Sequence, residues 1–308
     1  MPGRARLWSR MGNANLPGLN ESDLNEYGAL KRVALRHPRA AFGGPEAIAA
    51  SWRALGYGAA PDFGRACADY DRFAAILADA GAEIDYLPAE NGLTLDSLYV
   101  RDAALMTPGG IVLANMGKAA RADEPAAAEA AFRDLGFSIA GHITGAGRLE
   151  GGDVVWLDDR TCAVGQGYRT NGEGIGQLKA ILGPEVEVIV VPLPHYQGPD
   201  DVFHLMSIIS PLDADLALVH SPLMPVPFRD WLLGRGIHLA EVAEDEFETL
   251  GCNALALAPR RCLMAEGNPR TRARLEAAGC EVVTYDATEI SMKGAGGPTC
   301  LTRPLVRS

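Results

Sequence analysis

The chain has 308 residues, a formal charge of −11, 48% hydrophobic residues and 22% charged ones. That is enough apolar material for a large core in one domain or two, with no polar tract long enough to suggest internal disorder. The acidic balance offers no basic face for nucleic acid and suits a small cationic substrate.

The opening "MPGRARLWSRMGN" has arginines but no apolar core of the kind a signal peptide needs, so residues 1–22 read as a flexible arm before a single domain over 23–308. Residues up to about Glu26 are the candidates for covering a cleft. The best apolar runs, "VEVIVVPLP" and "ADLALVH", are strand-length, so no membrane contact is expected. Six cysteines without close pairing or a C-x-x-C read as reduced thiols, which implies a cytoplasmic setting. The oligomeric state stays open, with a homodimer as one expectation.

In chain order, a strand at "KRVALRHP" precedes the first of five amphipathic helix–turn–strand units, "YDRFAAILADAGAEIDYLP". The others are "AAAEAAFRDLGFSIAGHI", "GIGQLKAILGPEVEVIVVPLP", "PFRDWLLGRGIHLAEVA" and "PRTRARLEAAGCEVVTYD". Leu, Phe and Ala recur at i, i+3 and i+4, and a Gly closes each helix as a left-handed cap requires. Between these units lie strand–turn–strand segments: "ALMTPGGIVLAN", "VVWLDDRTCAVGQ", "SIISPLDADLALVH" and "ALALAPRRCLMAEG". A fifth hairpin requires the last strand, "CLTRPLV", to pair with "KRVALRHP". Repeats of about 50 residues predict a propeller-like or solenoid array, and pairing of the two ends favours a closed ring. A doubly wound sheet is the alternative, but hairpins between the helices are foreign to it.

Short polar segments precede the first strand of each hairpin: "YVRD", "LEGGD", "FHLMS", "GCN" and "GGPTC". Within them Asp102, Glu150, His204, Asn253 and Cys300 are spaced 48, 54, 49 and 47 residues apart. Equivalent points of a closed ring converge on one end of its axis. An acid, an acid, an imidazole, an amide and a thiol should therefore line one cleft. A thiol beside an imidazole is the material of nucleophilic catalysis, and neighbouring carboxylates suit a planar cation such as guanidinium. That cation would also favour the thiolate. Asp153 reads either as a turn residue bonding backbone groups or as a group that orients substrate, and Asn253 as a ligand of backbone or of substrate. His37, His142, His195, His220 and His238 show no metal spacing, so no catalytic metal and no cofactor are expected. "NGEGIGQL" lacks the spacing of a phosphate loop and reads as a helix entry. The other five cysteines read as core.

Together "LYVRDAAL", "LEGGDVVWL", "GQGYRTN", "FHLMS" and "GGPTCLT" resemble the guanidine-modifying enzyme (pentein) superfamily, over residues from about Tyr27 to Arg307. The resemblance is closest to the dimethylarginine dimethylaminohydrolases, with arginine deiminases and amidinotransferases as relatives. It implies a five-bladed α/β-propeller of ββαβ-type repeats, in agreement with the rhythm of the chain. It also implies hydrolysis of the guanidino group of arginine or an N-methylated arginine through a covalent thiouronium, with citrulline or another ureido acid and an amine or ammonia as products. Carried across, it makes Cys300 the nucleophile and His204 the acid and then base, with Asp102 and Glu150 on the guanidinium nitrogens. Asp96 would lie near the substrate, and Arg169 and Arg121 would bind its α-carboxylate. Two positions depart from the pattern. Met206 stands where deiminases and amidinotransferases carry an Asp, as the dimethylarginine enzymes also lack it. Arg101 stands where those enzymes often have an acid. Amidino transfer to an acceptor amine is the alternative within the superfamily, and a non-catalytic binding protein the alternative outside enzymology.

Overall fold

The computed structural model describes residues 24–308, and the expected arm over 1–22 lies outside the described residues. The chain begins with β1 (Leu30–Leu35), α1 (Pro38–Ala41), α2 (Pro45–Ser51), α3 (Phe63–Asp79) and β2 (Glu83–Tyr86). Three units of two strands, a helix and a strand follow. The first is β3 (Ala104–Thr107), β4 (Gly110–Leu113), α4 (Glu124–Asp134) and β5 (Ile139–His142). The second is β6 (Val154–Asp158), β7 (Thr161–Gln166), α5 (Gly172–Leu182) and β8 (Glu187–Pro192). The third is β9 (Ile209–Asp213), β10 (Leu216–Val219), α6 (Val226–Gly234) and β11 (His238–Glu241). A fourth such unit, β12 (Ala254–Ala258), β13 (Arg261–Ala265), α7 (Pro269–Ala277) and β14 (Glu281–Tyr285), leads to the last strand, β15 (Arg303–Arg307).

These strands form five three-stranded sheets of one design: an antiparallel pair, then a strand that returns parallel to the middle one after a helical crossover. In the sheet made by the chain ends, β15 takes the place of a hairpin's first strand, with Val33 opposite Pro304 and Ala34 opposite Arg303. The fold is the closed ring that the repeat favours and the five-bladed α/β-propeller that the resemblance implies. Helix α3 shows why the local sequence obeys it. Ala66, Tyr70, Phe73, Ala74 and Leu77 make one buried stripe, and Asp62 caps the start by accepting from the Arg65 amide at 2.8 Å. Each helix leading to a third strand ends at a glycine with positive φ, between 75° and 97°: Gly81, Gly136, Gly183, Gly236 and Gly279. This is the backbone region where side chains are penalised.

First and middle strands are buried and third strands are partly exposed, so the apolar core runs as a belt between neighbouring blades and their helices. Two details differ from the sequence reading. Helices α1 and α2 fill the stretch after β1, for which the repeat predicts nothing. Strand β15 begins at Arg303, so Cys300 sits in the turn before it rather than within the strand. Gly174, in "NGEGIGQL", is needed for packing: a Cβ there would run into the carbonyl of Arg148. Among the described residues no helix is long and apolar enough to cross a membrane.

Closure gives a direct test. Removing residues 303–308 deletes β15 and its Arg307 bonds to the carbonyls of Gly28 and Ala256. The truncated chain is expected to lose its cooperative urea transition, and a melting temperature within a few degrees of the full chain would contradict closure by the ends.

Candidate active site

Each of the five residues singled out by spacing stands just before a first strand: Asp102 before β3, Glu150 before β6, His204 before β9, Asn253 before β12 and Cys300 before β15. Fivefold repetition brings them to the same end of the ring. His204, Asn253 and Cys300 line one cleft of about 240 Å³, together with Gly152, Met206 and the aromatic rings of Tyr196, Phe203 and Phe247. Oxygens of Asp102 and Glu150 and a ring nitrogen of His204 lie within 4.8 Å of one another behind it. Gly152 lets them converge, since a Cβ there would come within 2.8 Å of both Asp102 Oδ1 and His204 Nδ1.

Glu150 is fully buried and saturated. Its Oε1 accepts from the amides of Gly117 and Lys118 at 2.9 and 3.1 Å, and its Oε2 meets His204 Nε2 at 2.7 Å and Arg169 Nη1 at 3.3 Å. Burial alone would favour the neutral acid, but the bond to His204 and the charges of His204 and Arg169 outweigh it and hold the carboxyl well below its usual range. His204 is the counterpart. Burial opposes its charge, yet Asp102, Asp153 and Glu150 together push its pKa up to about 9. The imidazole is therefore a cation at neutral pH.

Asp102 accepts from the Gly152 amide at 2.9 Å and from Arg121 Nη1 at 2.6 Å. Arg121 is also committed to Glu124 through Nε and Nη2, both at 2.8 Å, and to the Tyr99 carbonyl. The resemblance implied a contact with a substrate's α-carboxylate; in this arrangement Arg121 braces Asp102 and is not among the residues lining the cleft. Arg169 bonds Glu150 and donates to the carbonyl of Asp201, a residue that does line it. Asp96 is buried and paired with Lys118 Nζ at 2.7 Å. Asp153 does not line the cleft; its Oδ1 accepts from the Leu205 amide at 2.9 Å, fixing the backbone beside His204, and burial raises its pKa to about 6. The three clustered donors are spaced for a cation, but each carboxylate already faces a guanidinium or the imidazolium, so their charge is compensated from within.

Cys300 is half-buried, whereas Cys67, Cys162, Cys252, Cys262 and Cys280 are buried. Burial raises the Cys300 thiol pKa, and the charge of Asp102 raises it further. Asn253 orders the turn that carries it. Its Oδ1 accepts from Thr299 N and Oγ1 at 3.1 and 3.0 Å, while Nδ2 points at Cys300 Sγ from 3.7 Å. The glycines of "GAGGP" make room for neighbours: a Cβ on Gly294 or Gly296 would strike Tyr99, and one on Gly297 would strike Asn253.

Several contributors escaped the sequence reading. Lys118, Tyr99 and Glu124 touch the expected residues but sit outside the fivefold register. Among the described residues the mouth is lined from segments 196–203 and 247–250, and Glu26 pairs with Arg101 elsewhere; most of the stretch up to Glu26 expected to cover the cleft lies outside the described residues. Tyr196, Leu250 and Ala295, three of the four non-glycine residues with positive φ among those described, all line this cleft. Such strain costs about 1–3 kcal/mol per residue and collects at functional sites. The two departures from the family pattern touch each other, with Arg101 Nε 3.2 Å from Met206 Sδ.

The family profile described as arginine deiminase matches residues 95–234 and 228–307, most of the chain. The N(G),N(G)-dimethylarginine dimethylaminohydrolase of Streptomyces coelicolor is 32% identical over 243 residues, 78% of this chain and 86% of that protein. The chain belongs to the guanidino-modifying pentein superfamily. Solved penteins share its fold. A dimethylarginine dimethylaminohydrolase from Pseudomonas aeruginosa, a cysteine-to-serine variant complexed with citrulline, matches with a TM-score of 0.72 at 23% identity, over 90% of this chain and 100% of that one. The N-terminal domain of a cyanobacterial arginine dihydrolase bound to substrate matches with a TM-score of 0.75 at 20% identity, over 90% and 98%.

The charge pairing predicts a titration. Replacing Glu150 by Gln removes the hydrogen-bonded anion from His204, so the imidazole pKa, followed by NMR, should fall from about 9 toward the ordinary 6.5. An unchanged value would contradict the pairing. The sign for stability follows. Because the folded pKa of His204 is raised, its contribution is complete below pH 6.5 and is lost as pH rises through about 9, so urea midpoints should decline across that window.

Proposed function

We propose that this pentein is a cysteine hydrolase of the guanidino group of arginine or an N-methylated arginine, with Cys300 as nucleophile. The observation that carries the reading is the arrangement of the cleft. A half-buried thiol shares the cleft with an imidazolium clamped by a buried carboxylate, and a second carboxylate, Asp102, stands behind them within 4.8 Å of both the carboxylate and the imidazole. Relatives of this chain named for dimethylarginine hydrolysis and for arginine deimination support the substrate class.

The charges order the steps. In the free site the thiol is neutral, because burial and Asp102 disfavour the thiolate. A guanidinium docked against Asp102 offsets that charge, the thiol proton passes to solvent, and the thiolate attacks the guanidinium carbon as the C–S bond forms. His204 is already protonated and so acts first as an acid, giving its proton to the amine as the C–N bond breaks. The neutral imidazole then takes a proton from water, whose oxygen adds to the thiouronium carbon. The C–S bond breaks as the added hydroxyl loses its proton to solvent, releasing the neutral ureido product and the thiolate. Asn253 Nδ2 stabilises the sulfur anion at both ends of the cycle. Glu150 holds the imidazole in place, and Asp153 sets its backbone. Arg169, which donates to the carbonyl of the cleft residue Asp201, is the group assigned to an α-carboxylate.

The test is an assay of ureido product and released amine with arginine, methylarginines and short guanidino acids, with and without an acceptor amine. Turnover without acceptor is expected, and Cys300→Ser should reduce it by at least about a thousandfold. Absence of turnover on every guanidino compound, or an undiminished serine variant, overturns the reading; a requirement for the acceptor assigns amidino transfer instead. Arg169→Ala should raise KM most for substrates with an α-carboxylate, and an equal rise for agmatine-like substrates would contradict its assignment.

A further inference from the structure

Three guanidinium groups lie buried among the inner strands, away from the cleft lining: Arg101 ahead of β3, and Arg303 and Arg307 on β15. Together with Glu26, Met106 and Trp156 they line a cavity of about 30 Å³. Met206 separates this region from the thiol, since it lines both the 240 Å³ cleft and a smaller 10 Å³ cavity that Arg101 and Glu26 also line.

The charges in this cluster do not balance. Among the described residues Glu26 is the one carboxylate lining it, paired with Arg101 Nη2 at 2.7 Å. Arg303 donates to the Ala104 carbonyl at 2.9 Å, and Arg307 to the carbonyls of Gly28 and Ala256 at 2.6 and 2.9 Å. Carbonyl dipoles satisfy hydrogens but do not neutralise charge. Four donor atoms remain without a partner among the described residues: Arg101 Nη1, Arg303 Nε, and Arg307 Nε and Nη2. An unpaired buried charge costs several kcal/mol, and so does an unmet buried donor on a charged group. Burial and the charge of Arg101 push the pKa of Arg303 well below its usual value, and burial pushes that of Arg307 down to about 10.

We infer that this cavity binds one small monovalent anion of chloride's size, held by Arg101, Arg303 and Arg307. The volume is that of one or two water-sized species, too small for phosphate or a carboxylic acid with a side chain. The acceptor must also satisfy N–H groups from two parts of the chain, the turn before β3 and strand β15, which a spherical anion does without regard to orientation. Water accepts fewer bonds and leaves the excess positive charge uncompensated. The site is separate from the proposed catalytic machinery and depends on no assumption about substrate.

The test compares the full chain in sodium chloride and in sodium gluconate at equal ionic strength. Chloride is expected to raise the melting temperature saturably by about 2–4 °C relative to gluconate. Arg307→Met should abolish that difference whatever its own basal stability. Because that variant can fail to fold, crystals of the unaltered chain soaked in bromide supply an independent reading. An anomalous peak between the three guanidinium groups is expected. Equal melting temperatures in the two salts, or bromide-soaked crystals with only a water-sized feature and no anomalous signal there, overturn the proposal.

Discussion

Antiparallel pairing of β15 with β1 is the constraint on which the rest of the molecule depends. It turns a row of similar blades into a ring, and only a ring brings residues from opposite ends of the chain to one cleft. Cys300 lies 150 residues past Glu150 and eight from the last residue of the sequence, yet the turn before β15 is the same structural position as the turns before β3, β6, β9 and β12. The nucleophile candidate is therefore placed by backbone hydrogen bonds between the chain ends. Arg307 strengthens the same seam by bonding the carbonyls of Gly28 and Ala256.

Within that ring the site is organised by charge compensation at close quarters. Glu150 carries the densest network: two amides hold one oxygen, and an imidazolium and a guanidinium meet the other. Breaking such a buried pair from one side typically costs about 3–5 kcal/mol, because the remaining charge stays buried. The network thus fixes the protonation state of His204 as firmly as its position. The thiol has the opposite setting, with burial and the charge of Asp102 favouring its neutral form. On the function proposed above, such a site holds its acid charged and its nucleophile uncharged and selects a substrate that brings positive charge with it.

The sequence made the frame of this site readable because its signal is periodic. Helix-closing glycines, hairpin turns and the interval between Asp102, Glu150, His204, Asn253 and Cys300 repeat with the blade, and the structure places all five at one end of the ring. What escaped was aperiodic. Lys118 reaches Asp96, and Glu124 shares Arg121 with Asp102, through a loop and a helix start that no other blade copies. The cleft mouth comes from turns at 196–203 and 247–250, whose left-handed residues Tyr196 and Leu250 carry no residue signature of that conformation. Arg121 was placed by resemblance at the α-carboxylate, whereas its three nitrogens are taken up by Asp102, Glu124 and the Tyr99 carbonyl. A residue's type and register fix where its Cα lies, but the partner of a long guanidinium is settled by neighbours from other segments.

The most direct test of the central claim is mass spectrometry of the protein quenched in acid during turnover of a guanidino substrate. The account predicts a transient adduct on the peptide that contains Cys300, with the mass of the amidino fragment left after the amine departs, and its absence in Cys300→Ser. Turnover with no adduct on that peptide, or with an adduct on another residue, would contradict it.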